Sequence, residues 1–331
     1  MKDSKTHNST TPKLLGTRDV YGDTLAGLGE KYPDIVVLDA DLSGSTKSIV
    51  FAKKFPFRFF NMGISEQDLM GTAAGFAAAG KIPFASTFAI FATGKAWEQI
   101  RQSIAYPGLN VKIVATHGGI TVGEDGASHQ CTEDISIMRT LPNMTVVVPA
   151  DGIETQKALE AIVLLKGPVY MRLSRLKFPV IFDDTYQYRL GKGVLIKDGN
   201  DVTILACGLM VSQALNAREI LKEQGIQTKV INISTLKPID EDLIIASAQE
   251  TKALVTAEEH SIIGGLGSAV AEVISEKFPV PLRRIGIRDT FGTSGTAEKL
   301  IEHFGLTPEA IANSALEVIK MKNKNFHRST L

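Results

Sequence analysis

Along the first half of the chain, short runs of β-branched, aromatic and aliphatic residues alternate with longer stretches in which apolar positions recur every three or four residues. The short runs at 35–38, 59–62, 83–87, 111–116, 145–148 and 169–173 are apolar almost throughout. That is the pattern of strands covered on both faces, hence of a parallel sheet. The longer stretches at 19–31, 66–79, 94–106 and 153–165 have the spacing of amphipathic helices. Strands and helices in this order predict an α/β fold, doubly wound, with helices on both faces of a mostly parallel sheet.

The alternation then pauses. Phe178-Pro179, Asp183-Asp184, Gly191-Lys192-Gly193 and Asp198-Gly199 fall close together and read as an inter-domain connection. It restarts with apolar runs at 202–207, 228–233, 253–256 and 284–287, again with helical stretches between them. The expected division is a first domain over 15–177, a linker over 178–200 and a smaller α/β domain over 201–321, with loose tails at 1–14 and 322–331. Open α/β sheets bind ligands beyond the carboxyl ends of their strands. The loops at 39–46, 63–67, 88–91 and 117–130 are therefore where a site belongs.

Composition narrows the classes. Lys plus Arg and Asp plus Glu are both 36 in 331 residues, so nothing marks a nucleic-acid tail or a membrane-surface patch. No apolar run approaches the roughly 20 residues needed to span a bilayer, and the first dozen residues are polar, unlike a signal peptide. The two cysteines, Cys131 and Cys207, are far apart and lack metal-ligand spacing. A reduced, cytoplasmic protein without nucleic-acid or membrane partners is the expectation.

Three segments carry candidate chemistry. The loop 116–130 reads T-H-G-G-I-T-V-G-E-D-G-A-S-H-Q and packs two histidines, two acids and four glycines behind a strand. Glycine allows close approach of the backbone and histidine exchanges protons near neutrality; a flexible surface turn is the plainer reading. Glu66, in N-M-G-I-S-E-Q, opens an apolar helix, where an acid is favoured by the helix dipole alone. Phe88 and Phe91, in S-T-F-A-I-F, form either an aromatic wall or ordinary core.

Taken in order, G-I-S-E-Q, G-x-A-A-G-F-A-A-A-G, T-F-x-x-F, H-x-x-I-x-x-G-E-D-G-x-x-H-Q and P-N-M-x-V-V-x-P-A-D resemble the pyrimidine-binding domain of transketolases. A-E-E-H-S-I-I-G-G-L-G-S-A-V-A-E and F-G-T-S-G-T-A-E-K-L resemble the family's C-terminal domain. The resemblance implies a thiamine diphosphate enzyme that moves a two-carbon ketol unit from a ketose phosphate to an aldose phosphate. It implies that Glu66 hydrogen-bonds the cofactor's aminopyrimidine, that Phe88 and Phe91 wall it, and that Asp41 lies close to it. It further implies His117 and His129 as proton-transfer groups in the substrate channel, Asp125 on a substrate hydroxyl, and Arg18, Arg175 and Ser45 on the substrate phosphate.

The family's G-D-G motif, which holds the pyrophosphate and its Mg2+ or other divalent cation, does not occur in the sequence. The resemblance therefore implies an N-terminal transketolase subunit as obligate partner, with two copies of each chain in an α2β2 heterotetramer. Two positions depart from many family members: Gly118, since His-Asp is common where this chain has His117-Gly118, and Gly94, where a third aromatic stands. Nearby alternatives are a deoxyxylulose phosphate synthase-like enzyme and a 2-oxo acid dehydrogenase β-like subunit, the latter disfavoured by the histidine pair. A non-catalytic regulatory subunit is a third. Gly265-Leu266-Gly267 reads as a strand-to-helix turn rather than a dinucleotide fingerprint, since Val270 stands at the third glycine position. His260 and Trp97 read as packing or interface residues.

Overall fold

In a computed structural model, residues 13–328 are described. The expected doubly wound sheet is present with seven strands, in the spatial order Thr235–Lys237, Thr145–Val147, Val169–Arg172, Lys112–Thr116, Ile82–Phe88, Ile35–Asp39, Phe59–Asn61. All neighbours run parallel except Thr235–Lys237, which is antiparallel to Thr145–Val147. A second sheet has the order Leu282–Ile287, Leu254–Ser261, Val202–Ala206, Thr228–Asn232, Val194–Lys197, with only the last strand antiparallel. The apolar runs at 35–39, 112–116, 169–172, 202–206 and 228–232 are buried at every position, as strands covered on both faces must be. Among the described residues no helix is long and apolar enough to cross a membrane.

The structure adds four short antiparallel strands that carry too little pattern to read in advance. Leu14–Gly16 pairs with Lys177–Pro179, and Val194–Lys197 and Thr235–Lys237 close an edge of each main sheet. The stretch 178–200 therefore holds strand residues as well as connection. The helix expected over 94–106 starts earlier and is wider: π-type turns run over Phe91–Lys95 and Ile100–Ala105, with a short α-turn, Trp97–Gln99, between. Such widened turns recur near functional sites. At the carboxyl end the helix Pro308–Arg328 occupies positions 322–328, where a loose tail was expected. Of the amino-terminal tail, residues 1–12 lie outside the described residues, and Leu14 already belongs to a strand.

The two sheets share one core. Val146, Val148 and Tyr170 of the first sheet lie in the same apolar cluster as Leu205, Ile231, Leu236, Leu254 and Leu266 of the second half. Polar groups tie the seam as firmly. Asp151 caps the helix Gly152–Ile162 by accepting from Glu154 N (2.8 Å), and its other oxygen accepts from Ile181 N and Phe182 N (2.6 and 2.9 Å). Glu154, fully buried, accepts from Ala150 N (2.7 Å), Tyr186 Oη (2.8 Å) and Asn232 Nδ2 (2.8 and 2.9 Å). Burial pushes its carboxyl pKa up, against those donors. One side chain thus joins the first domain, the connection and the second sheet.

Replacing Glu154 by alanine strands three buried donors, so Glu154→Ala is expected to cost on the order of 3 kcal/mol. Chemical denaturation monitored by circular dichroism checks this, and a loss below roughly 1 kcal/mol would show that the donors find other partners.

Candidate active site

The residues singled out from sequence come from the carboxyl ends of the first sheet's strands and from the helix Thr17–Lys31. The strand Ile35–Asp39 ends in a buried carboxylate that accepts from Leu42 N (2.6 Å), Thr46 Oγ1 (2.7 Å) and Ser48 Oγ (2.8 Å). Asp39 therefore shapes the loop that follows. Asp41, the acid expected beside a cofactor, is exposed, has φ 62°, and accepts from Asn61 Nδ2 at 2.8 Å. The Ser45 carbonyl accepts from Arg18 Nη1 at 3.1 Å.

Glu66 is the first residue of the helix Glu66–Ala78 and is only 5% exposed. Lys95 Nζ lies 3.5 Å from its Oε1 and 4.7 Å from the Phe91 ring centroid. Acid and aromatic wall are thus linked through one side chain. Phe88 and Phe91 stack at 5.8 Å with an interplanar angle of 12°. His117 lies flat on Phe88 at 3.7 Å, and His129 meets Phe91 edge-on at 5.4 Å and Phe88 at 6.5 Å. The aromatic reading and the histidine reading converge on one cluster.

His117 has φ 60° and is buried. Its Nε2 is 3.4 Å from Arg18 Nη1 and its Nδ1 is 2.8 Å from Thr116 Oγ1. Arginine has no acceptor, so Nε2 is the bare nitrogen and the ring proton sits on Nδ1. Burial lowers its pKa to about 3, assisted by the charges of Arg18 and Arg175 and by His129. The imidazole is therefore neutral at physiological pH, with its Nε2 lone pair directed at Arg18. Burial also lowers the Arg18 pKa; nearby Asp19 opposes that and Arg175 adds to it. Arg175 Nη1 donates to Val122 O and lies 3.7 Å from both Asp125 Oδ2 and Glu124 Oε2. Two cations, a neutral base and an exposed acid can receive an anionic, hydroxylated ligand.

Of the two unusual glycines, Gly118 is required by packing: a Cβ there would lie 2.5 Å from Arg172 Nε. Gly94 is not, since a Cβ would meet only Ile90 Cδ1 at 3.7 Å. Gly265 opens the helix Leu266–Lys277, whose first free amides, Leu266 N and Gly267 N, donate to the buried Glu258 carboxylate (2.6 and 2.7 Å). The anion position of this turn is filled from within the chain. His260 is buried against Ser261 O and Ser136 N, and Trp97 donates to Ile137 O at 3.1 Å. Sequence reasoning missed Lys95, Gln130, Arg172 and Glu259, which line or support this region. Lys95 lies four residues after Phe91, one helical turn on, and Gln130 follows His129, so proximity in sequence was the available signal.

Residues 13–180 match the family described as the transketolase pyrimidine binding domain, and residues 191–311 match the transketolase C-terminal domain. This chain belongs to the transketolase family. A protein of Methanocaldococcus jannaschii named as a transketolase C-terminal section is 54% identical over 92% of this chain and 96% of its own length. A 6-deoxy-6-sulfo-D-fructose transketolase subunit of Clostridium is 46% identical over 92% of this chain and 95% of its own. Human transketolase is 35% identical over 92% of this chain, but the match spans only 49% of that longer protein. Among solved structures, a split-gene transketolase chain forming an inactive β4 tetramer superposes with TM-score 0.88 and 52% identity, covering 93% of this chain and 99% of that one. The chain is thus a transketolase-family C-terminal subunit, of a family that uses thiamine diphosphate, and its relatives imply an N-terminal partner.

The depressed His117 pKa carries a stability consequence. Below the ordinary histidine value of 6.5 the unfolded chain takes up a proton that the folded chain refuses until about pH 3. Stability is therefore full above pH 6.5 and lost as pH falls, by up to about 1.4 kcal/mol per pH unit from this group. His117→Gln is expected to flatten that part of the curve in urea unfolding between pH 6.5 and 4.5, and an unchanged slope would show that His117 titrates normally.

Proposed function

We propose that this subunit transfers a two-carbon ketol unit from a ketose phosphate to an aldose phosphate, within an α2β2 assembly with its N-terminal partner. The observation that supports this best is the joining of Glu66, Phe88, Phe91, His117, His129, Arg18 and Arg175 in one region at the strand ends. Thiamine diphosphate, when bound, supplies a nucleophilic carbon for cleavage and formation of the sugar's carbon–carbon bond. The residues present fit its aminopyrimidine. Glu66 offers a buried carboxylate whose side-chain ion pair among the described residues is with the half-exposed Lys95, and Phe91 offers a ring face beside it. The pyrophosphate and Mg2+, or another divalent cation, fall to the partner subunit in this reading.

The remaining side chains divide the substrate between them. Arg18 and Arg175 take the phosphate, and Asp125, already near Arg175, takes a hydroxyl. His117 accepts a hydroxyl proton at Nε2 once the phosphate has drawn Arg18 from that nitrogen, while Thr116 holds the ring through Nδ1. His129, less buried and hydrogen-bonded to Ser128 Oγ at 3.0 Å, serves the exposed side of the channel. The two arginines would hold a sulfonate as well as a phosphate. A sulfonated ketose donor, as in the name of the clostridial relative, is therefore the second reading.

A coupled assay with xylulose 5-phosphate, ribose 5-phosphate, thiamine diphosphate and Mg2+ tests the proposal. Turnover is expected from the intact pair and not from this chain alone, and Glu66→Ala should lower kcat by about a hundredfold or more. Turnover by this chain alone would refute the shared site. Absence of turnover from a folded, cofactor-loaded pair would refute the sugar-phosphate donor, and the sulfonated ketose would then be assayed.

A partner that covers Glu66 must also cover Ile64, which is 79% exposed two residues away. Ile64→Asp is expected to leave the fold and melting of this chain unchanged while weakening pairing at least tenfold in sedimentation velocity. Undiminished pairing would place the partner elsewhere.

A further inference from the structure

We infer that the C-terminal domain sets the shape of the site loop through Glu259 and Gln130, which act as positioning residues for His117, Asp125 and Arg175. Glu259 lies in the carboxyl half of the second sheet's strand Leu254–Ser261 and reaches across the seam. Its Oε1 accepts from Thr121 N at 2.8 Å, inside the loop. A Cβ on Gly119, at φ 88°, would lie 2.2 Å from that carboxylate, so side chain and loop backbone are in direct contact. Gly119 is two residues from His117. The next residues carry Val122 O, which holds Arg175, and then Asp125.

The opposite side of the loop is held by Gln130. Its Nε2 faces Ile120 O and Gly123 O (both 3.2 Å) and Thr293 O (2.8 Å), the last in the C-terminal domain. Its Oε1 is buried with no partner among the described residues, so the amide serves this loop only as a donor. The C-terminal segment closes on it without room to spare: a Cβ on Gly292 would meet Gln130 Oε1 at 1.7 Å, and one on Gly126 would meet Ser294 Oγ at 2.5 Å. A buried carboxylate is a costly way to pack two domains, because it must be compensated by donors. Here the donors belong to the loop that bears the candidate base, which is what a brace for that loop requires.

The kinetic arm of the test rests on the ketol-transfer reading; the exchange arm does not. Amide hydrogen exchange on this chain is measured for native protein, Glu259→Ala, Glu259→Gln and Gln130→Met. Alanine at 259 and methionine at 130 are expected to speed exchange in 117–125 at least tenfold, with 202–206 and 228–232 unaffected. Glutamine at 259 keeps an acceptor for Thr121 N and should stay within threefold of native. In the assembled pair, Glu259→Ala should lower kcat/KM for the ketose phosphate at least tenfold. The dissociation constant of thiamine diphosphate should stay within twofold, because Glu66 and Phe91 stand on other strand ends. Unchanged loop exchange, exchange raised equally across the C-terminal domain, or a glutamine variant as mobile as the alanine one overturns the positioning role. A native pair without turnover would defeat the transfer reading and leave the exchange result to decide the brace.

Discussion

Arg172 brings a full charge into the seam between the two sheets, and much of the site depends on how that charge is met. Its Nε donates to Asp134 Oδ2 at 2.8 Å, and its Nη2 donates to Glu259 O at 2.9 Å and Cys131 O at 3.3 Å. Burial works against the guanidinium, but Asp134 and Glu259 raise its pKa well above the ordinary value. Tyr170 Oη donates to the same Asp134 oxygen at 2.6 Å. Losing either member of a buried pair leaves an uncompensated charge, at a cost of about 3–5 kcal/mol. The network is therefore more a determinant of register between domains than a surplus of stability. It forces glycine at 118, and Glu259, held on it through the backbone, does the same at 119.

That constraint explains the state of the base. With Arg172 beneath Gly118 and Glu259 against Gly119, the loop enters its turn with His117 at φ 60°, pressed on Phe88 and turned toward Arg18. A histidine in the left-handed region is uncommon and is held there by its surroundings. Burial together with the neighbouring arginines makes the protonated form unfavourable. The same cations that suit an anionic substrate thus keep the imidazole neutral. In the proposed ketol transfer, ligand binding and base chemistry would draw on one electrostatic arrangement.

Much of this was legible in the chain because strands such as 112–116 and 169–172 are covered on both faces, and their unbroken apolar runs follow from that. Phe88, His117 and His129 were legible as separate motifs, and the structure brings them onto one another. What stayed hidden depends on pairing across distance. Glu259 stood in the A-E-E-H-S string with no role of its own, and only the fold places it 138 residues back along the chain, at Thr121 N. The hold of the Ser45 carbonyl on Arg18 was hidden too, since a carbonyl is a group every residue carries and no motif can mark. The three-residue strand Thr235–Lys237 has too few positions to show a period, although it completes the first sheet from within the second half of the chain.

The two glycines that depart from the family pattern differ in physical status. Gly118 is locked: a side chain there must displace Arg172 from a buried pair, so change at 118 requires change in the seam. Gly94 has open space around its Cβ direction and lies within the widened turn Phe91–Lys95, next to the lysine that contacts Glu66. A side chain at 94 would meet little resistance from this chain. The aromatic wall can therefore change at 94 independently of the loop that carries His117. The loop that carries His117 is tied to the C-terminal domain through Glu259, and the aromatic wall meets that loop where Phe88 stacks on His117 and Phe91 meets His129.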